Sequence, residues 1–93
     1  MENKFIKSED FMGNPIYWLN GKSMEESFIT EDVCGIYLNP YYSEAANLKY
    51  EEKKYICELI LAPYHEDRII EGFMTLKEAK YWGINEYEKR NDK

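Results

Sequence analysis

The feature of this sequence that most constrains its fold is a compact apolar run, Val33–Leu38, which has the length of a β-strand. Glu31 and Asp32 precede the run, and the chain-breaking pair Asn39-Pro40 follows it. A short apolar run between polar boundaries is typical of a strand that is buried in a core. Val33–Leu38 is therefore predicted to be a core strand, and the rest of the chain must supply its neighbours.

Two strands and a tight turn are predicted before this run. Lys4–Lys7 fits a short edge strand, and Pro15–Leu19 fits a strand with proline at its first position, where a missing N–H is tolerated. Ser8–Gly13 predicts a single helical turn that Ser8 caps and Gly13 ends. Asn20-Gly21 predicts a tight turn, because both residue types tolerate positive φ.

Two segments on either side of Val33–Leu38 have helical signals. Ser23–Glu26 fits a capping box that opens a short helix through Ile29, although a hairpin strand is the alternative. Ser43 is suited to cap a helix that begins at Glu44. That helix either continues to Ala62, since no glycine or proline interrupts it, or ends near Glu52.

The C-terminal half favours the second alternative. Tyr55–Leu61 is rich in β-branched and aromatic residues, and Arg68–Phe73 follows it after a short polar loop that contains proline. Two such runs predict an antiparallel hairpin. Thr75–Glu78 forms a second capping box, and the helix that it opens is predicted to stop at Gly83.

These elements predict an α+β fold for one small domain of residues 1–93. We expect a mostly antiparallel sheet of three or four strands with two or three short helices. A chain of this size buries about two-thirds of the surface that it exposes when unfolded. We expect residues 1–3 and 88–93 to fray, because they offer little apolar surface to bury.

The charge of the chain is unevenly distributed. The net charge is -6, residues 1–47 carry eight acids and three bases, and the stretch Ser23–Leu48 has no lysine or arginine. Such a chain is poorly suited to bind nucleic acid directly, because that affinity comes largely from cations that neutralise phosphates. It is suited to meet a larger protein with a basic surface, although an acidic surface also serves solubility alone.

The sequence offers no recognisable catalytic, metal or cofactor site. His65 is the single histidine, and its loop position beside Glu66 and Asp67 is typical of a solvated turn. Cys34 and Cys57 each lie in an apolar run, which predicts free buried thiols. We therefore expect no enzyme activity, no cofactor and no metal, with a small enzyme built around His65 as an alternative. The sequence shows no signal-peptide pattern or long apolar stretch, so we also expect a cytoplasmic protein that does not contact membranes.

The aromatic content indicates a protein-binding role. Nine tyrosines and two tryptophans exceed what a core of this size needs, and exposed rings of these types are favoured interface anchors. We predict that Tyr41 and Tyr42 act as anchors, and that nearby acids supply steering and rim contacts. These acids are Glu25, Glu26, Glu31, Asp32 and Glu44.

The functional hypothesis is a small acidic, non-catalytic protein-binding module. Carboxylates and rings can imitate phosphates and bases, so a narrower hypothesis is a phage or mobile-element inhibitor. Such an inhibitor would occlude the nucleic-acid-binding surface of a bacterial enzyme or defence complex. A structural homo-oligomer, of which a homodimer is the simplest form, is the first alternative.

A further alternative rests on a resemblance. Thr75–Asn85 resembles the first helix and turn of a helix-turn-helix DNA reader, with Glu78-Ala79 before Gly83-Ile84. The resemblance covers about a dozen residues, and Ala79 and Gly83 are one residue closer together than that pattern requires. It implies a small regulator whose recognition helix would follow Gly83.

Overall fold

A computed structural model describes residues 2–23, 31–40, 53–62 and 67–91. Within these ranges the chain forms five strands and one helix. The strands are β1 (Phe5–Glu9), β2 (Pro15–Leu19), β3 (Val33–Leu38), β4 (Tyr55–Ile60) and β5 (Arg68–Phe73), and the helix is α1 (Leu76–Asn91). The α+β class is confirmed, but the described part of the chain has more strands and fewer helices than the sequence indicated. No helix among these residues has the length and apolar character that crossing a membrane requires.

The five strands form one antiparallel sheet in the order of the sequence, β1-β2-β3-β4-β5. Val33–Leu38 lies at its centre, where Ile36 pairs with Cys57 of β4 and with Tyr17 of β2. The predicted hairpin of β4 and β5 is confirmed, because Tyr55 pairs with Phe73 and Ile60 with Arg68. The strand alternative for residues 55–60 is thus correct. The predicted helices at 23–29 and from Ser43 lie mainly outside the described residues.

The connection between β1 and β2 differs from the prediction. Ser8 and Glu9 continue β1, and the turn starts only at Asp10. The carboxylate of Asp10 accepts hydrogen bonds from the backbone N–H groups of Met12 and Asn14, both at 2.9 Å. A turn closed by an aspartate side chain replaces the predicted helical turn, because these bonds satisfy the local donors without a helix. Gly13 completes the turn with φ of 82°.

The turn at Asn20-Gly21 is confirmed. Both residues have positive φ, 57° for Asn20 and 73° for Gly21. The Asn20 side chain accepts a hydrogen bond from the Lys4 N–H at 3.1 Å and donates one to Asn3 at 3.0 Å. The turn is thereby joined to the residues that precede β1.

Helix α1 begins as predicted but does not stop at Gly83. It continues to Asn91, and Gly83 is a buried residue in the middle of the helix, on the side that packs against the sheet. A Cβ at Gly83 would lie 2.8 Å from Phe5 Cζ and about 3 Å from the sulfur atoms of Cys34 and Cys57. The glycine lets the helix approach the sheet closely. An unbroken helix also means that these residues do not form the turn that a helix-turn-helix arrangement requires.

The core lies between α1 and one face of the sheet. Cys34 and Ile36 of β3 alternate with residues of the other face, and Cys57 and Leu59 of β4 lie beside them. Ala79 of α1 is buried against this cluster. The two thiols are free and buried, as predicted, and their Sγ atoms are 3.6 Å apart. The helix therefore covers the central strands, and β5 is an edge strand with no further strand beside it among the described residues.

Candidate docking surface

The acidic and aromatic residues of the predicted site fall into two groups. Glu31 and Asp32 are described and lie at the start of β3. The remaining predicted partner-binding residues lie outside the described residues; these are Glu25, Glu26, Tyr41, Tyr42 and Glu44. Their role stays a prediction.

Glu31 and Asp32 have different surroundings. Glu31 forms an ion pair with Lys22 at 3.0 Å, and its side chain is 49% exposed. The Asp32 carboxylate accepts a hydrogen bond from the Ala62 N–H at 2.8 Å and lies 3.4 Å from Arg90 Nε. Its side chain is only 11% exposed. Glu31 is therefore a surface residue that pairs with Lys22, whereas Asp32 links parts of the fold.

The two halves of the predicted site leave β3 at opposite ends. Asp32 directly precedes the strand, and the segment that contains Tyr41 starts after Pro40, beyond its other end. A strand of six residues spans roughly 20 Å. The two segments that contain the predicted site residues therefore begin at opposite ends of β3, about one strand length apart.

A groove between α1 and β5 presents aromatic residues. Tyr81 is 74% exposed on the outer side of the helix, and the ring centroids of Phe73 and Trp82 lie 5.7 Å apart with the planes tilted by 48°. The groove has a volume of about 660 Å³. It is lined by Phe73, Lys77, Glu78, Tyr81, Trp82, Asn85, Glu86 and Lys89.

The charges along this groove are mostly engaged within the protein. The Glu78 carboxylate accepts a hydrogen bond from the Thr75 hydroxyl at 2.9 Å, and Glu86 pairs with Lys89 at 3.4 Å. Lys77 makes no ion pair with any residue that the structure describes. The groove therefore offers aromatic surface with one uncommitted cation at its side.

A second groove lies on the opposite face of the sheet, beside β1 and β2. Its volume is about 610 Å³, and its walls include Ile6, Ile16 and Trp18. The Trp18 ring packs over Gly35, where a Cβ would lie 2.8 Å from the ring. This groove extends to Ser23, next to residues 24–30 that the structure does not describe.

A polar cluster on that same face has the residue types of a catalytic site. The Tyr37 hydroxyl donates a hydrogen bond to Glu58 at 2.5 Å, and Arg68 pairs with the other Glu58 oxygen at 3.1 Å. Burial, followed by the hydrogen bond to Glu58, raises the pKa of Tyr37 well above its ordinary range. The phenol stays protonated and the carboxylate has both oxygens bonded, so this arrangement stabilises the sheet.

Other catalytic arrangements have no support in the described parts of the chain. These residues include no group of three or more histidine, cysteine, aspartate or glutamate side chains that would hold a metal ion. His65 lies outside them. Among the described residues, the groove between α1 and β5 is the candidate docking surface.

The sequence predicted that some tyrosine and tryptophan side chains are exposed, but it placed the site at Tyr41 and Tyr42 and not at Tyr81 and Trp82. One signal did point to the groove: Lys77, Tyr81, Asn85 and Lys89 recur at every fourth residue. Residues four apart lie on one face of a helix. The contribution of Phe73 was not visible, because it depends on how α1 packs beside β5.

Comparisons of the chain with models of protein families, with curated proteins and with solved structures found no match. The candidate site is therefore identified by its geometry alone.

Proposed function

We propose that this protein is a non-catalytic protein-binding module that holds its partner in the groove between α1 and β5. The observation that carries the proposal is the exposure of Tyr81 beside the Phe73–Trp82 pair. Tyrosine and tryptophan bring a large contact area at small entropic cost, and they are enriched among the residues that dominate binding energy. The groove is built on a helix and a strand, so its shape is formed before a partner arrives.

The acidic character of the chain favours a partner that has a basic surface. The described residues carry eleven acids and ten bases, whereas the remaining residues carry seven acids and two bases. Most of the net negative charge thus belongs to the stretches that include 24–30 and 41–52. Charge of one sign accelerates encounter with a surface of the opposite sign. In this proposal the acids steer the partner, and the groove anchors it.

This division of roles suits an inhibitor of a nucleic-acid-binding protein. A surface that grips phosphates is basic, so it attracts carboxylates over distances of about 10 Å at moderate salt. The protein then covers that surface without catalysing a reaction. The proposal keeps the narrower hypothesis of a phage or mobile-element inhibitor.

The anchoring role is tested with a matched pair of variants. Tyr81→Ser removes the ring from the groove, and Phe11→Ser removes a ring that is 99% exposed far from it, in the turn between β1 and β2. Host proteins captured by the wild type are identified by quantitative mass spectrometry, and the affinity of the purified partner is then measured by biolayer interferometry. We expect Tyr81→Ser to weaken binding at least about tenfold, as removal of an interface anchor does. Phe11→Ser should bind as the wild type does, and equal affinity of all three proteins would contradict the proposal.

The steering role has its own test on the same partner. Reversal of charge at Glu25, Glu26 and Glu31 should slow association several-fold at low salt and leave dissociation nearly unchanged, because rim charges act mainly on encounter. Asp32 is left intact, since its carboxylate bonds within the fold. A control protein with Glu2, Glu9 and Glu88 reversed carries the same change in net charge, and these three residues are exposed. Association rates that do not depend on which set is reversed would contradict steering by the first set.

A homo-oligomeric role is the second candidate, and the open edge of β5 is the observation that favours it. Ile70 on that edge is 55% exposed. Sedimentation velocity over a hundredfold range of concentration separates the two candidates. A constant monomer supports the binding module, and a concentration-dependent dimer supports the oligomer.

A further inference from the structure

The backbone of β5 has one side that faces away from the sheet. The Leu61 N–H donates to the Asp67 carbonyl at 2.9 Å, so the backbone groups of Asp67 face β4. In an antiparallel pair the direction of these groups alternates from one residue to the next. The groups that face β4 are therefore those of Ile69, Glu71 and Phe73, and the groups that face outward are those of Arg68, Ile70 and Gly72.

A second contact supports this assignment. The Gly72 N–H donates to the carboxylate of its own neighbour, Glu71, at 3.2 Å. A donor that faced β4 would be used by the ladder, so this bond indicates that the Gly72 N–H points out of the sheet. The carboxylate occupies a position that the carbonyl of an added strand would take.

The other edge of the sheet is β1, and its charged residues make it a poorer template for an added strand. The Asn20 N–H donates to the Lys4 carbonyl at 2.7 Å, so the outward groups of β1 are those of Phe5, Lys7 and Glu9. Two charged residues thus occupy the free edge of β1, and charges on edge strands discourage pairing with another chain. The central outward residue of β5 is Ile70, which is apolar and 55% exposed. Of the two edges, β5 is the better template.

We infer that β5 accepts an extended segment of the partner protein as a sixth, antiparallel strand. The inference rests on the proposed function and names how the partner binds. Carbonyl and N–H groups of the segment pair with those of Ile70 and Gly72, and a carbonyl of the segment replaces the Glu71 carboxylate as the acceptor of the Gly72 N–H. An apolar side chain of the segment packs on Ile70. Main-chain pairing of this kind supplies affinity, while neighbouring pockets select side chains.

The groove beside β5 indicates which types of side chain the segment carries. Phe73 follows Gly72 and faces α1, so side chains of the segment on that face reach the groove. Lys77 is the uncommitted cation there, because the Glu78 and Glu86 carboxylates are already bonded. The segment therefore alternates apolar and polar residues and carries a carboxylate at the end that meets Lys77.

The test uses the full chain and two synthetic peptides. Each peptide has eight residues with alternating valine and threonine, and two residues at one end are glutamates in the first peptide and lysines in the second. Amide shifts are followed by NMR on isotope-labelled protein. We expect the first peptide to shift the amides of Arg68, Ile70 and Gly72 and to slow their hydrogen exchange. The second peptide should bind at least threefold more weakly, and Lys77→Glu should reverse that preference.

A matched pair of variants tests the edge of β5: one variant removes an outward N–H group, and the other retains it. Ile70→Pro removes an N–H that faces outward, so the ladder with β4 keeps its bonds, and proline is tolerated on edge strands. Ile70→Val keeps that N–H. Gly72 is unsuitable for this purpose, since a Cβ there would lie 2.9 Å from Lys53 Cβ. We expect Ile70→Pro to weaken the first peptide at least tenfold and Ile70→Val less than threefold.

Three results would overturn the inference. The first is that the peptide shifts amides of β1 instead of β5, the second is that it shifts no amides at all, and the third is that Ile70→Pro binds it as tightly as the wild type does. Should Ile70→Pro fail to fold, as circular dichroism would reveal, the wild-type exchange rates at Ile70 and Gly72 decide: protection supports strand addition, and its absence overturns it. A separate outcome isolates the proposed function. If Tyr81→Ser loses the natural partner and a folded Ile70→Pro keeps it, the groove binds but β5 does not accept a strand.

Discussion

The thiol of Cys57 shows how burial sets the chemistry of single residues in this protein. The hydrogen bond with Cys34, together with burial, raises the pKa of Cys57 above its ordinary value of 9.0. Both sulfur atoms lie directly beneath Gly83 of α1. Cys57 is therefore held in the protonated form, which is the unreactive form of a thiol.

This arrangement predicts a loss of stability at alkaline pH. Above about pH 9 the unfolded chain releases the Cys57 proton while the folded protein retains it, so the free energy of unfolding falls as the pH rises. The stabilisation is fully present below that pH, and the slope reaches at most about 1.4 kcal/mol per pH unit for one group. Tyr37, whose pKa is raised from 10.0, adds a further loss above pH 10. Urea unfolding at half-unit steps from pH 7 to pH 11 measures the effect.

Cys57→Ala is the comparison for this prediction. The variant has a lower stability at every pH because it loses buried atoms. Its slope between pH 9 and pH 10 should nevertheless be shallower than that of the wild type, since one of the titrating groups is gone. Parallel curves over that interval would show that Cys57 does not contribute.

At the scale of elements, the start of α1 depends on a cap that Thr75 and Glu78 form together. The Glu78 N–H donates to the Thr75 hydroxyl oxygen at 3.2 Å, and the Thr75 hydroxyl donates to the Glu78 carboxylate at 2.9 Å. Thr75→Ala should lower the free energy of unfolding by about 1 kcal/mol, because it leaves a helix donor without its partner. Thr75→Ser keeps the hydroxyl and should stay close to the wild type in urea titrations. Equal losses in the two variants would assign the effect to the methyl group and not to the cap.

The elements differ in how well the sequence predicted them. The strands Pro15–Leu19 and Val33–Leu38 were predicted with their observed bounds, since their signals, short apolar runs and turn residues, are local. The end of α1 was not, because Gly83 was interpreted as a stop. Beyond it, Ile84 and Tyr87 pack against the core, and Arg90 reaches Asp32 across 58 residues of sequence. Contacts of that range leave no local pattern.

The candidate site shows the same limit at the scale of the whole molecule. Phe73 and Tyr81 belong to different elements, and they line one groove because α1 returns along the face of the sheet beside β5. Composition indicated that exposed aromatic residues exist, but only the packing of the helix on a particular part of the sheet decides which ones meet. The acidic residues of the predicted site are neighbours in sequence, and β3 separates the starting points of their two segments.

Asp32 joins three distant parts of the fold, and this predicts a graded response to substitution. The side chain accepts from the Ala62 N–H at the end of β4 and pairs with Arg90 near the end of α1. Loss of the acceptor for a part-buried N–H costs about 1 to 3 kcal/mol. The pair with the half-exposed Arg90 contributes about 0 to 1 kcal/mol after screening by solvent. The backbone hydrogen bond should therefore dominate.

Three variants separate these two contributions by urea unfolding. Asp32→Ala removes both and should be the least stable. Asp32→Asn retains a carbonyl oxygen for the Ala62 N–H and loses only the charge, so it should lie close to Arg90→Ala, which also loses only the pair. Asp32→Asn and Arg90→Ala should each have a free energy of unfolding within about 1 kcal/mol of the wild type. If Asp32→Asn were as unstable as Asp32→Ala, the ion pair would be the stronger link, and the C-terminal turns of α1 would depend on the charge of Asp32 and become sensitive to salt.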